Sequence, residues 1–82
     1  MKIYGEYGNT ERRRCHFVVR QYSEGDWIVA VQPDEDELNA LKGGILALEV
    51  RSGTPRAKVQ ELADFLNHNV EGISFTRLPS NP

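Results

Sequence analysis

The sequence contains only one cysteine and no long apolar run. Cys15 alone cannot close an internal disulfide, and the apolar run 27–31 is far shorter than the ~20 residues that span a bilayer. The N-terminal stretch MKIYGEYGNTE has no apolar segment of the kind found in secretory signals. A lone thiol is typical of a reducing compartment. The sequence therefore predicts a cytoplasmic protein with no membrane segment.

An excess of basic charge is also missing. The net charge is −2 and the isoelectric point is near 5.6, whereas a general nucleic-acid binder carries a basic field. The apolar share of the 82 residues is 39%, so the core must be small. Single cores of this size seldom supply more than roughly 3–5 kcal/mol without a disulfide, a metal or a partner. We therefore expect a homo-oligomer.

Recognisable catalytic motifs are missing as well. The sequence has no G-x-S-x-G elbow and no G-K-[ST] phosphate loop, and the acidic run 34–37 lacks the spacing of an EF-hand. Cys15 and His16 are neighbours in a predicted strand, where adjacent side chains point to opposite faces, so they cannot form a nucleophile–base pair. Adding His68 gives too few ligands for a metal. We predict a non-enzymatic protein without cofactor or metal.

The first half of the chain predicts β structure. Strands are expected at 3–7 and 13–22, and the loop 23–25 ends in a glycine suited to a three-residue hairpin. Pairing Tyr22 with Asp26 gives one strand face made of core-type residues, whereas a one-residue slip would mix the two faces. That inward face consists of Cys15, Phe17, Val19, Trp27, Val29 and Val31.

The second half predicts helices alternating with strands. A short helix is expected from Asp34 to Lys42, with Asp34 and Glu37 as a capping box. The clearest helix follows Thr54-Pro55, a capping hydroxyl before a proline. The remaining predicted elements are a strand at 45–51, the helix at 55–68, a strand at 73–78 and a disordered tail at 79–82.

These elements define the expected architecture. We predict a single α+β domain over residues 1–78, in which a β-meander is followed by an α-β-α-β order. The sheet is expected to be mixed, with one face covered by the helix 55–68. If the two strands flanking that helix are parallel neighbours, their crossover is expected to be right-handed.

The outer face of the 13–22 strand is the predicted partner interface. Val18, Ile28 and Ala30 form an apolar strip there, bordered by basic side chains, and arginine is enriched at protein interfaces. Charge is uneven along the chain: residues 1–22 hold five basic and two acidic residues, and residues 23–42 hold one and six. The predicted interface consists of Arg14, His16, Val18, Arg20, Ile28 and Ala30.

Two alternatives remain open from the sequence. The basic strand from Arg12 to Arg20 is also a candidate for contacts with nucleic-acid phosphates, with Tyr22 available to stack on a base. The turn before the 55–68 helix is a candidate anion site, because backbone N–H groups and the positive helix end converge there. That second site consists of Arg51, Ser52, Gly53, Thr54 and Arg56.

Overall fold

The computed structural model describes residues 10–22 and 25–78. The predicted strand at 3–7 and the tail at 79–82 lie outside these residues. Within them the chain forms four strands, one α-helix and one short 3-10 turn. The elements are β1 (Thr10–Gln21), β2 (Trp27–Pro33), the 3-10 turn (Asn39–Leu41), β3 (Leu46–Glu49), α1 (Arg56–Asn69) and β4 (Gly72–Thr76).

The predicted α+β class is confirmed, but the sheet is antiparallel rather than mixed. Its strand order is β3-β2-β1-β4, and each of its three neighbouring pairs is antiparallel. The strands that flank α1, namely β3 and β4, lie at opposite edges of the sheet. They are therefore not neighbours, and no parallel crossover forms between them.

The predicted hairpin register is confirmed. Phe17 lies opposite Val31, and the N–H of Tyr22 donates to the carbonyl of Asp26 at 2.9 Å. Gly25 has a φ of +100°, which a side chain would strain, so glycine is needed at this position of the turn. The register places the apolar residues of β1 and β2 on one face.

The core lies between that face and α1. Val59 and Ala63 of the helix are fully buried in one cluster with residues of β1 and β2, because they belong to the apolar stripe of the helix. The buried residues of this cluster are Cys15, Phe17, Val29, Val31, Val59 and Ala63. The main strand contacts of α1 are with β1 and β2.

The predicted helix at 34–42 is wrong. Only the 3-10 turn Asn39–Leu41 forms there, preceded by the extended and buried Leu38. The N–H of Asp34 donates to the carbonyl of Arg14 at 2.9 Å, which extends the β1–β2 ladder. The side chain of Asp34 is hydrogen-bonded to Nδ1 of His16 at 2.8 Å, so it does not cap a helix.

The start of α1 also differs from the prediction. Pro55 is the residue preceding the helix, and no side chain caps the end. The hydroxyl of Thr54 instead donates to the carbonyl of Arg51 at 2.6 Å and closes the turn before the helix. The helix ends at Asn69, one residue beyond the predicted end.

Gly72 allows β4 to approach β1 closely. It lies opposite Arg14, and a Cβ at this position would overlap the carbonyl oxygen of Arg13 and lie 3.0 Å from the Cα of Arg14. Real Cβ atoms do not come so close to a backbone that cannot move aside. A glycine is therefore required where α1 gives way to the edge strand β4.

Candidate interaction surface

The apolar strip predicted on the outer face has little exposed surface. Val18, Ile28 and Ala30 lie opposite the face that carries the core, as strand alternation requires. However, Ile28 is only 6% exposed and Ala30 only 3%, and Val18 is half-buried. These side chains offer a partner much less apolar area than the sequence pattern indicates.

The basic side chains beside this strip all have polar partners. Arg14 lies 3.7 Å from the carboxylate of Glu71, and Nδ1 of His16 lies 2.8 Å from Asp34 Oδ1. Arg20 donates to the side chain of Gln32 at 3.1 Å. All of these contacts are exposed, so each contributes at most about 1 kcal/mol.

Three consecutive arginines line a groove of mixed charge at the start of β1. Arg12, Arg13 and Arg14 form one side of a groove of about 520 Å3, and the acidic loop 34–36 forms the other. Arg13 lies 3.6 Å from Glu11 and donates to the carbonyl of Arg12, while its Nε is buried without a hydrogen-bond partner. The facing carboxylates weaken the positive field that a nucleic-acid backbone would need.

The candidate anion turn is formed, but several of its groups are already engaged. Ser52 and Gly53 make the turn, with Gly53 at a φ of +83°. The Thr54 hydroxyl donates to the Arg51 carbonyl rather than facing a ligand. The guanidinium of Arg56 lies 5.4 Å above the ring of Trp27 in a cation–π contact. Two of the groups expected at this site, the Thr54 hydroxyl and the Arg56 guanidinium, are therefore engaged in other contacts.

Cys15 and His16 point to opposite faces of the sheet, as predicted. Cys15 is buried in the core, whereas the His16 side chain is half exposed. Burial, and then the nearby Asp34 carboxylate, raise the pKa of the Cys15 thiol. A thiol in this environment is a poor nucleophile at neutral pH.

Three of the seven exposed large hydrophobic side chains in the described residues lie on or just before β3, and the other four are Tyr22, Phe65, Phe75 and Leu78. Ile45 is 81% exposed, Leu46 is 40% exposed and Leu48 is 39% exposed. Leu46 lies opposite Val31 and Leu48 lies opposite Val29, so both leucines are on the core face of the sheet. We call Ile45, Leu46 and Leu48 the β3 patch. Its two leucines continue the core surface beyond β1 and β2, the two strands that make most of the contacts with α1.

Sequence reasoning placed these leucines on one face but missed their exposure. The alternation of Leu46, Leu48 and Val50 shows that one side of this strand is apolar. The exposure depends on β3 being the sheet edge and on where α1 packs, and neither is visible in a local pattern.

The outward backbone edge of β3 can be identified from the sheet ladder. Tyr22 is hydrogen-bonded to Asp26, and Asp34 is hydrogen-bonded to Arg14. Even-numbered residues of β2 therefore point their backbone N–H and C=O groups toward β1. In an antiparallel sheet alternate residues point their N–H and C=O groups to opposite sides. Val29 and Val31 therefore point toward Leu48 and Leu46 of β3.

It follows that the backbone groups of Ala47 and Glu49 point away from the sheet. Ala47 is half-buried, and the side chain of Glu49 accepts a hydrogen bond from Tyr22 Oη at 2.8 Å. That hydrogen bond is the main cause of a raised Tyr22 pKa, followed by desolvation and by the charge of Glu49. Among the described strands, β3 is therefore an edge strand whose outward backbone groups have no neighbouring strand.

The described residues show no other site of recognisable chemistry. In residues 10–22 and 25–78, no three His, Cys, Asp or Glu side chains are placed to hold a metal ion. The helix within the same residues is too short and too polar to cross a membrane. Comparisons with protein-family models, curated proteins and solved structures found no match to the chain.

Proposed function

We propose that this chain is a small non-enzymatic interaction module, which self-associates and in that form binds another macromolecule. The observation that carries the proposal is the β3 patch, where two leucines on the core face remain about two-fifths exposed. Apolar side chains continuous with a core gain roughly 25 cal/mol for each Å2 removed from water. A cluster of this kind at a sheet edge is typical of an interface.

The proposal moves the contact surface from the outer face to β3. The partner interface expected from the sequence depends on Ile28 and Ala30, and both are already buried. In this proposal α1 covers the core face of β1 and β2, and a second molecule covers the core face of β3. Arg14, His16 and Arg20 then serve as polar groups outside the contact, where they influence orientation more than affinity.

The small size of the domain supports the same conclusion. A chain of 82 residues, with few fully buried side chains among those described, gains little stability from its own core. Association adds buried apolar surface and thereby stabilises the fold. A nearly neutral chain, with a net charge of −2, also has little self-repulsion to overcome.

A pair of matched variants tests the proposal. Leu48→Asp places a charge in the β3 patch, and Val18→Asp places the same charge on the outer face. Light scattering at micromolar concentration is expected to show an oligomer for the wild type and for Val18→Asp, and a 9.3 kDa monomer for Leu48→Asp. Circular dichroism checks that both variants remain folded, and titration with short DNA and RNA at two salt concentrations tests the alternative.

Three results would contradict the proposal. A wild type that stays at 9.3 kDa would exclude self-association. Loss of the oligomer in Val18→Asp alone would assign the contact to the outer face, as the sequence predicts. Nucleic-acid binding that falls steeply with salt and is lost in Arg20→Ala would favour the nucleic-acid alternative.

A further inference from the structure

We infer that the partner on β3 is a second copy of this chain, and that the two β3 strands pair antiparallel about a two-fold axis at Ala47. This inference rests on the proposed self-association and specifies its geometry. The two four-stranded sheets would join into one sheet of eight strands. A second copy is the proposed partner because the β3 edge is complementary to itself, in both its backbone groups and its side chains.

The backbone of β3 permits this pairing. The N–H and C=O groups of Ala47 point away from β2, as do those of Glu49. When Ala47 lies opposite the same residue of a second copy, each donates its N–H to the other's carbonyl. This is the hydrogen-bonded type of antiparallel pair, with Cα atoms about 5.5 Å apart. A two-fold axis through this pair makes the interface self-complementary.

The side chains are compatible with the same register. With Ala47 on the axis, Leu46 of each copy lies opposite Leu48 of the other. All four leucines then lie on the face that carries the core, because residues directly opposite in a sheet share a face. A register shifted by one residue would place the leucines of the two copies on opposite faces of the joined sheet. Of these two registers, only the first places the exposed leucines of both copies together on one face.

The residues of the axis create no conflict. Ala47 is small, and its side chain lies on the outer face opposite Ala30 of its own β2. The neighbouring acid, Glu49, is hydrogen-bonded to Tyr22 and lies opposite Ile45 of the second copy in this register. Like charges are therefore not placed directly opposite each other, a contact that would destabilise the pair.

Cross-linking tests the register. Ala47→Cys would bring two thiols to the axis, within the Cα separation of about 4.4–6.8 Å that a disulfide requires. Leu46→Cys is the matched control. It lies opposite residue 48, so the two introduced cysteines are offset by two residues, which puts their Cα atoms beyond about 7 Å. Under mild oxidation we expect a disulfide-linked dimer only for Ala47→Cys, with mass spectrometry of peptides distinguishing residue 47 from the native Cys15.

A proline substitution tests the backbone contribution. Ala47→Pro removes an N–H that points to the open edge, a position where a strand tolerates proline. Ala47→Val keeps that N–H and is the control. We expect the dimer dissociation constant to rise at least tenfold for Ala47→Pro and to change little for Ala47→Val. Should Ala47→Pro fail to fold, the cross-linking result still decides the register.

The outcomes separate this inference from the proposed function. A wild type that is monomeric overturns both. A wild-type oligomer that is lost in Leu48→Asp, but in which Ala47→Cys forms no disulfide or Leu46→Cys forms one equally well, overturns the two-fold pairing alone. Selective cross-linking at residue 47, together with weakening by Ala47→Pro, supports the inference.

Discussion

Burial determines the chemistry of the single thiol. Cys15 packs in the core beside Phe17 and Val31, and the pKa of its thiol is raised by desolvation and by the charge of Asp34. A raised pKa means that the folded protein holds less thiolate than the unfolded chain at the same pH. Because only the thiolate reacts with alkylating reagents, the native protein must react slowly.

The corresponding prediction is a labelling experiment. At pH 8 a thiol reagent should modify native Cys15 at least about tenfold more slowly than the chain unfolded in denaturant, through the combined effect of burial and raised pKa. The difference should persist as the pH rises through ~8.5, where an unperturbed thiol ionises. Since the chain has one cysteine, mass spectrometry reports the rate directly. Equal native and denatured rates would show that Cys15 is not in the core.

Strand alternation predicts the face on which Cys15 lies, whereas hydrogen bonds made by side chains could not be predicted from the sequence. The sequence places Cys15 on the inner face and His16 on the outer face, and both positions are confirmed. The sequence also read Thr54 as a helix cap, which is wrong because the hydroxyl bonds to Arg51 instead. A threonine before a proline can cap a helix or close a turn. Here Pro55 has an extended backbone and itself precedes the helix, so Thr54 lies one residue too early to cap it.

At the scale of elements, Asn67 joins α1 to β1. The Nδ2 group of Asn67 donates to the carbonyl of Phe17 at 2.9 Å, and Oδ1 accepts from the N–H of the same residue at 2.7 Å. The N–H of Cys15, two residues earlier, bonds to the carbonyl of Glu71 at 3.2 Å. The backbone before β4 thus bonds to β1 at Cys15, and the Asn67 carboxamide takes the place of a strand at the next outward-pointing residue, Phe17.

Removing this carboxamide should loosen the helix from the strand. Asn67→Ala leaves both backbone groups of Phe17 without this partner, and we expect a loss of about 1–3 kcal/mol in the free energy of unfolding. Asn69→Ala is the control, since Asn69 makes one exposed hydrogen bond to its own helix, and it should cost less than about 1 kcal/mol. Chemical denaturation measures both. Equal losses would show that the contact with Phe17 adds nothing to stability.

The role of Asn67 could not be read from the sequence, which indicated only a helix end at residues 67–69. The short helix at 34–42 shows the reverse error. Its acidic start and terminal glycine are typical of a helix, but the backbone of Asp34 is bonded to β1. In both cases a contact between distant parts of the chain decides the local structure. The hairpin register and α1 were predictable because each depends on its own repeating pattern.

At the scale of the whole molecule, the arrangement of the elements leaves the sheet asymmetric. Helix α1 packs mainly on the two central strands, while β3 and β4 form the edges. The sequence predicts that a chain this small needs a partner, but it assigns the contact to the outer face. The sheet order explains the difference. Because β3 is an edge strand, its leucines are exposed, and no periodicity within residues 45–51 reveals which strand will be at an edge.

If association completes the core, thermal stability must depend on protein concentration. A ligand that binds only the folded state stabilises it by mass action, and here the ligand is a second copy of the chain. The melting temperature of the wild type should therefore rise by several degrees over a hundredfold increase in concentration, since about 1 kcal/mol shifts Tm by roughly 4–8 °C in a domain of this size. Leu48→Asp should melt at a lower temperature that does not change with concentration, whereas Val18→Asp should keep the concentration dependence. Scanning calorimetry or circular dichroism between about 5 and 500 μM measures this range. A wild-type melting temperature that is constant throughout, in a reversible transition, would mean that the folded chain is stable alone and that the β3 patch adds nothing to its stability.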